Sequence, residues 1–361
     1  MLIAHLSDTH LGYRQYKLDE REEDIYNSFK ECINKIIEIK PDIVIHCGDL
    51  FHSTKPPIRA LRLAISAFRK LKELNIKTYI IPGNHEIPGR RKVESPLSLI
   101  KDYVKILDGN YDVINELFIC GCKYTRDYNR QELLDKINYL DCLAKEYKKS
   151  IIMLHQGVYP YIQDYELYKE NLPRNIKYIA LGHLHNRILE NLDNDRLLAV
   201  SGSTEIIDRR EYEDYLKNGK GFYLFDYSKD LDKNDIERIN IKCRDFVEVN
   251  IENLDDIESY INKIKSLNKP IVFGKVRLDL RSIFERKIKG LVLANRVRYY
   301  EDIKDIEVES RESIDTKKLL YEFCEKNKVD GEFAYKIYKL VSENNLDELK
   351  NFINEYYKSK F

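Results

Sequence analysis

Short apolar runs alternate along the chain with longer stretches whose apolar positions recur every three or four residues. The short runs, read as strands, lie at 1–7, 43–47, 77–81, 117–121, 150–154, 176–181, 197–201 and 221–226. A helix is expected over 21–39, stopped by Pro41, and a second opens at Pro56 and Pro57 and runs to 74. A third is expected over 95–107, opened by Ser95 and Pro96. This alternation predicts an α/β layered domain over 1–228.

Beyond it the pattern changes. The charged stretch SKDLDKNDIERIN predicts a linker or turn. The runs FVEVNI, IVFGKVRLDL and RVRYY around one helix at 254–267 then predict a small α+β domain within 229–312. Residues 313–361 are helical in pattern, over KKLLYEFCEK, EFAYKIYKLVSE and LDELKNFINEYYKS, with Ser313 and Asp315 suited to cap the first. A helical segment this short buries little alone, so it is expected to pack on a partner or on the main body.

Composition adds limits. With 361 residues, 43% of them hydrophobic, the chain can form two or three domains with a sizeable core. The 61 basic residues balance the 61 acidic ones, so bulk charge does not announce a polyanion, although a basic face can hide in a neutral sum. A composition rich in Lys, Glu, Ile and Tyr and lacking Trp suits a heat-adapted prokaryote, or equally a genome of low GC content. The cysteines are scattered and odd in number. Cys120-Gly-Cys122 is too isolated for a zinc site, so free thiols in a reducing cytoplasm are expected. Met1 leads straight into a strand, leaving no signal peptide, and no apolar run reaches the ~18 residues of a membrane span.

The candidate chemistry sits at the strand ends. Asp8 and His10 follow LIAHLS, Asp49 follows IVIHCG, Asn84 and His85 follow TYIIPG, His155 ends IIML, and His183 and His185 follow YIALG. In α/β proteins, loops beyond strand ends collect ligands and catalytic groups. Six of the eight histidines (His10, His52, His85, His155, His183 and His185) lie in or beside these motifs. Two Asp, one Asn and several His have the donor mix of a two-metal hydrolytic site. His5 and His46 lie inside strands and read as core. Ser201-Gly202-Ser203-Thr204 reads either as a phosphate cradle, as a loop that fixes a ligand, or as a plain turn.

The ordered series DxH, GD, GNHE, isolated His and GHxH resembles the calcineurin-like metallophosphoesterase superfamily. The runs HLSDTHLGYRQ, GDLFH, PGNHE, LHQGV, LGHLH and SGSTE, followed by an α+β domain and a helical tail, resemble the archaeal SbcD-type nucleases of double-strand-break repair, the family called meiotic recombination eleven in eukaryotes. The resemblance implies a four-layer fold, two sheets between helices, with a smaller α+β capping domain and a C-terminal helical partner-binding segment. It implies two Mn²⁺ ions, one held by Asp8, His10, Asp49 and His185 and the other by Asp49, Asn84, His155 and His183, with Asp49 bridging. It gives His85 the role of donor to a phosphate oxygen or to the leaving 3′ oxygen, and His52 that of positioning the phosphate. Glu86, where many members have Asp, would support His85.

Discrimination for DNA would come from basic loops interleaved with Tyr. Tyr13 and Arg14, Lys55, Arg59 and Arg62, Arg90, Arg91 and Lys92, Lys123, Arg126 and Arg130 with Tyr124 and Tyr128, and Arg209 and Arg210 are the candidates, with ordinary solvated loops as the plain alternative. Helices 57–74 and 95–107 are apolar on more than one face, for which deep packing is the plain explanation. The resemblance suggests a homodimer through a surface that includes Leu61, Phe68, Leu97 and Ile100, and a long coiled-coil ABC-type ATPase bound by the tail. Two other functions remain open: a phosphatase or cyclic phosphodiesterase of the same superfamily, which leaves the extra domain and tail unexplained, and a non-catalytic DNA-bridging scaffold, which has no need of intact metal ligands.

Overall fold

A computed structural model describes the chain except residues 90–92, 194, 229–230, 302–315, 328, 343–345 and 361. It divides into two compact units, Met1–Tyr300 and Glu301–Phe361.

The first unit runs β1 (Leu2–Leu6), α1 (Asp19–Ile39), β2 (Ile43–His46), α2 (Ile58–Glu73), β3 (Lys77–Ile80), β4 (Lys105–Ile106), β5 (Asn110–Ile114), β6 (Leu117–Cys122), α3 (Arg130–Ala144) and β7 (Lys149–His155). It continues through β8 (Val158–Tyr159), β9 (Leu167–Tyr168), β10 (Tyr178–Gly182), β11 (Ile188–Asn191), β12 (Leu197–Val200), α4 (Tyr212–Asn218), β13 (Lys220–Asp226) and β14 (Glu237–Ile241). Last come β15 (Phe246–Ile251), α5 (Leu254–Lys265), β16 (Ile271–Arg277), α6 (Arg281–Ile288) and β17 (Ala294–Tyr300).

One six-stranded sheet has the order β14-β13-β1-β2-β3-β4 and the other β11-β12-β10-β7-β6-β5. Side chains alternate faces along a strand, and here both faces are buried. Ile43 and Ile45 join a core between the two sheets, whereas Val44 faces a second core shared with Ile25, Phe29 and Phe68 of α1 and α2. On the other sheet Ile151 and Met153 enter the inter-sheet core, while Ile152 and Leu154 meet Leu133, Ile137 and Leu140 of α3. The layers are therefore helix, sheet, sheet, helix, the four-layer arrangement expected. β1, β2 and β3 run parallel to one another, as do β7 and β10, so their carboxyl ends gather.

Several elements differ from the sequence expectation. The helix expected over 95–107 is a 3₁₀ turn, Pro96–Ile100, capped by Ser95, after which the chain extends as β4 beside β3. The edge of β3 offers Lys105 and Ile106 backbone partners that a continued helix would forgo. α3 was not expected, although Leu133, Ile137, Leu140 and Ala144 keep helical spacing and are buried. The stretch expected as a linker contains β14, which extends the first sheet against β13. β15, β16 and β17 form a parallel three-stranded sheet backed by α5 and also by α6, where one helix was expected; Phe284 and Ile288 supply the buried face of α6. Phe68, Leu97 and Ile100 are at most 1% exposed, so the chain's own core takes up side chains expected at a dimer face. Leu61 is half-buried, and Ile58 and Leu99 are the apolar side chains that stand out to solvent there.

In the second unit α7 (Thr316–Asn327), α8 (Gly331–Ser342) and α9 (Leu346–Lys360) follow one another, with Phe333 of α8 stacked on Tyr356 of α9. The expected caps Ser313 and Asp315 lie outside the described residues.

A buried charge network ties the third sheet to the first layers. The Arg21 guanidinium, fully buried in α1, donates to Gln15, Asp24, Glu205 and the Ile206 carbonyl. Arg244, just before β15, closes on the same Asp24. Removing one partner of such a pair leaves an uncompensated buried charge, which typically costs about 3–5 kcal/mol. Arg21→Met should lower the unfolding free energy by about that amount in urea titrations, and adding Glu205→Gln should recover most of the loss. An unchanged midpoint in the single variant would remove this network from the anchoring of the third sheet.

Candidate metal centre

Apart from His155, the last residue of β7, each motif reaches the site through a turn at a strand end. Asp8, His10, Asp49 and His183 have positive φ, a conformation that side-chain-bearing residues seldom adopt and that clusters at functional sites. Gly48 has φ +86°, and a Cβ there would lie 2.3 Å from His155 Nδ1, so glycine lets β2 turn against the imidazole of β7. The Asp8 and His10 amides bond the carbonyls of Gly48 and Asp49, which locks the first two motifs together.

The two sheets meet here. The His183 amide donates to the Asp8 carboxylate at 3.1 Å, and His155 Nδ1–H donates to the Cys47 carbonyl at 2.7 Å. That bond leaves His155 Nε2 facing Asn84 Oδ1 at 3.0 Å and Asp49 Oδ2 at 3.3 Å. His183 Nδ1 is 3.2 Å from the same Asn84 oxygen. His10 Nε2 and His185 Nε2 lie 3.2 Å apart, and His10 Nε2 is 3.7 Å from Asp49 Oδ2. The structure thus brings Asp8, His10, Asp49, Asn84, His155, His183 and His185 into one cluster. Asp8, His10 and His185 form one compact donor group, and Asp8, Asp49 and His155 another.

The donor set fits a divalent cation. Carboxylate, amide and imidazole atoms converge with little solvent access, and such groups are held together at low cost only by a positive charge. Burial opposes charge on His155, but the Asp49 carboxylate outweighs it and lifts the ring to about 10. Burial likewise opposes charge on Asp49, yet the surrounding imidazoles, His155 first, hold its carboxyl well below the usual range. A cation among these atoms competes with the imidazole proton, so binding releases it. Burial, then the crowding of His185, His85 and His52 against the pull of Asp49, pushes His10 well down.

His52 and His85 form the rim. Their rings stack at 4.8 Å, and Tyr13 lies on the other side of His52 at 4.0 Å. His85 Nδ1 bonds the His52 carbonyl at 2.7 Å, leaving Nε2 directed to the cluster, 3.8 Å from Asp49. Burial and the neighbouring His85 lower His52 to about 4. A cleft of about 630 Å³, ample for a nucleotide, is lined by Asp49, Asn84, His85, His183, His185 and Arg210 among others.

Glu86 does not support His85. Its carboxylate is fully buried and accepts the amides of Asp49, Phe51 and Gly83, so it shapes the Asp49 turn. His5 and His46 are core residues, His5 bonded to the Tyr178 hydroxyl and His46 to the Thr9 hydroxyl. Ser201 to Thr204 are buried, which leaves no open phosphate cradle there. Sequence reasoning missed Glu211, which accepts from His185 Nδ1 at 2.9 Å, and the packing of the Tyr124 ring 5.7 Å from His183. Glu211 has the sequence signature of a helix start, three residues after the capping Asp208.

The basic candidates are more dispersed. Arg14 pairs with Asp19, Arg59 with Glu23, Lys123 with Asp108 and Arg210 with Asp208. Lys55 and Arg126 are exposed, and Arg90, Arg91 and Lys92 lie outside the described residues. The cysteines are free. Among the described residues no helix is long and apolar enough to cross a membrane.

A family model described as calcineurin-like phosphoesterase matches residues 1–187. The DNA double-strand break repair protein Mre11 of Methanocaldococcus jannaschii is 51% identical over the whole of both chains. The protein of the same name from Methanococcus maripaludis is 38% identical, again over both whole chains. That of Saccharolobus solfataricus is 36% identical over 75% of this chain and 73% of its own. With the family model covering residues 1–187 and 51% identity over the full length, the chain belongs to the Mre11 family of DNA double-strand break repair proteins and carries a calcineurin-like phosphoesterase domain.

Proposed function

We propose that the chain is a Mn²⁺-dependent DNA nuclease, a 3′-to-5′ exonuclease and single-strand endonuclease that processes broken ends in the cytoplasm of a prokaryote. The convergence of seven donor residues from two sheets on one edge carries this reading. One ion is assigned to Asp8, His10, Asp49 and His185, the other to Asp49, Asn84, His155 and His183. Asp49 is the shared ligand because its Oδ2 lies toward both His10 and His155. A mixed imidazole and oxygen set suits Mn²⁺ better than Mg²⁺. When bound, the two ions supply a hydroxide nucleophile near neutral pH and neutralise charge developing at phosphorus.

The chain's own side chains do the rest. The His52 carbonyl accepts the His85 Nδ1–H and fixes the ring with Nε2 facing the cluster, and once Nε2 also carries a proton it donates to a phosphate oxygen or to the leaving 3′ oxygen. The His52 ring, held between Tyr13 and His85, positions the phosphate. Tyr13, Arg14, Lys55, Arg59, Arg90, Arg91, Lys123 and Arg126 are assigned to the DNA backbone and its bases.

The assignment extends to assembly. Residues 1–228 together with β14 serve as the nuclease domain, the rest of 229–312 as the cap over DNA, and 313–361 as the helices that bind a coiled-coil ABC-type ATPase. A homodimer would use Ile58, Leu61 and Leu99 and not the buried Phe68, Leu97 or Ile100.

His85→Ser should lower cleavage of end-labelled DNA by roughly 10²–10⁴-fold while Mn²⁺ and DNA binding persist; equal activity would end the assignment of His85. Chelation should abolish DNA cleavage, with Mn²⁺ restoring it and Mg²⁺ restoring less. Turnover of a small chromogenic phosphodiester with no DNA cleavage would move the function to a phosphodiesterase. Deleting 313–361 should leave cleavage of short single strands intact and abolish ATPase capture; tight ATPase binding by the truncated chain would refute the role of the helical segment.

A further inference from the structure

His185 differs in its support from Asp8, His10, Asp49 and His155. Asp8, His10 and Asp49 are laced together by main-chain bonds, and His155 belongs to β7. His185 lies between β10 and β11, outside the ladder. A buried ion pair holds it instead. Glu211, 3% exposed, accepts from His185 Nδ1 and from the Asp208 amide through Oε1, and from Ser203 Oγ, Lys220 Nζ and the Ile207 amide through Oε2. Lys220, fully buried at the start of β13, spends its three donors on the His185 carbonyl (2.8 Å), Ser203 Oγ (2.7 Å) and Glu211 Oε2 (2.5 Å). The Ser203 amide also donates to the His185 carbonyl at 3.1 Å.

His185 is thus gripped at its ring by Glu211 and at its main chain by Lys220 and Ser203. The ring bond places the imidazole proton on Nδ1 and turns the Nε2 lone pair toward His10 and Asp8. Carboxylates that orient a ligating imidazole in this way commonly change metal affinity by about 10–100-fold when removed. A buried carboxylate in turn stays in place only with its counter-charge. We infer that the Lys220–Glu211 pair is a positioning device for His185 that sets the affinity of one metal site and leaves the other alone. This rests on the two-metal reading above. Lys220 reaches the cluster only through Glu211, Ser203 and the His185 carbonyl, so it is a positioning residue and not a catalytic one.

The test is Mn²⁺ titration of the full chain, followed by electron paramagnetic resonance of the free ion, for wild type, Lys220→Met and Glu211→Gln, with thermal melts of each. Both variants should show one site weakened roughly 10–100-fold and the other within about twofold. Two unchanged sites in a folded Lys220→Met chain, or equal weakening of both sites, would overturn the inference while leaving the two-metal reading in place. Should Lys220→Met not fold, Glu211→Gln, which keeps the side chain's shape, decides by the same criteria. A wild-type chain that binds fewer than two Mn²⁺ overturns the two-metal reading and the inference with it.

Discussion

The site depends on one buried carboxylate. Asp49 is 2% exposed, and its Oδ2 lies 3.3–3.8 Å from an imidazole nitrogen of His155, His10 and His85. Its Oδ1 accepts the His85 amide, and its own amide is held by Glu86. A carboxylate in that position needs positive charge around it. His155, lifted by Asp49, supplies it by protonation, and a divalent cation would supply it more fully. The architecture follows from this demand. His10 and His85 come from the β1 and β3 ends of one sheet and His155 from the other, so two sheets must bring their parallel strand ends to a common edge. Burial of alternate residues on both faces of each sheet provides the rigidity that keeps them there.

The donor cluster was legible in the sequence because few residue types bind metals and a strand end restricts where they point. Asp8, His10, Asp49, Asn84, His155, His183 and His185 all follow apolar runs and all converge. Glu211 and Lys220 were not legible. Acidic residues number 61 and basic residues 61, and nothing local marks a carboxylate 26 positions from His185 as its partner. Only the return of β13 alongside β1 delivers Lys220 to the same place. Glu86 was legible as a residue of the site but not in its role, because three backbone amides from two different loops choose its partners.

The fold shows the same division. Periodicity found α1, α2 and most strands because each buries a regular face. It failed at 95–107, where apolar residues at helical spacing serve a 3₁₀ turn and an edge strand, since the open edge of β3 is invisible in the local pattern. Phe68, Leu97 and Ile100, which the family resemblance offered as part of a dimer face with deep packing as the plain alternative, close the chain's own core under the turn that follows β3.

A chain with no net charge still has to meet a polyanion if the nuclease reading holds. Its basic loops carry acidic partners: Arg14 has Asp19, Arg59 has Glu23 and Lys123 has Asp108. These pairs are exposed or half-exposed, and surface pairs of this kind contribute little to stability, about 0–1 kcal/mol. Exchanging such a carboxylate for a backbone phosphate therefore sacrifices little. The acidic partners also repel phosphate wherever the geometry does not let the arginine or lysine swing across. Binding by exchange is weaker than binding by an unopposed basic face, and it is more selective for the position of the strand. In the nuclease reading proposed above, such paired loops would set the path of the strand and leave the grip on DNA mainly to the cleft beside Asp49.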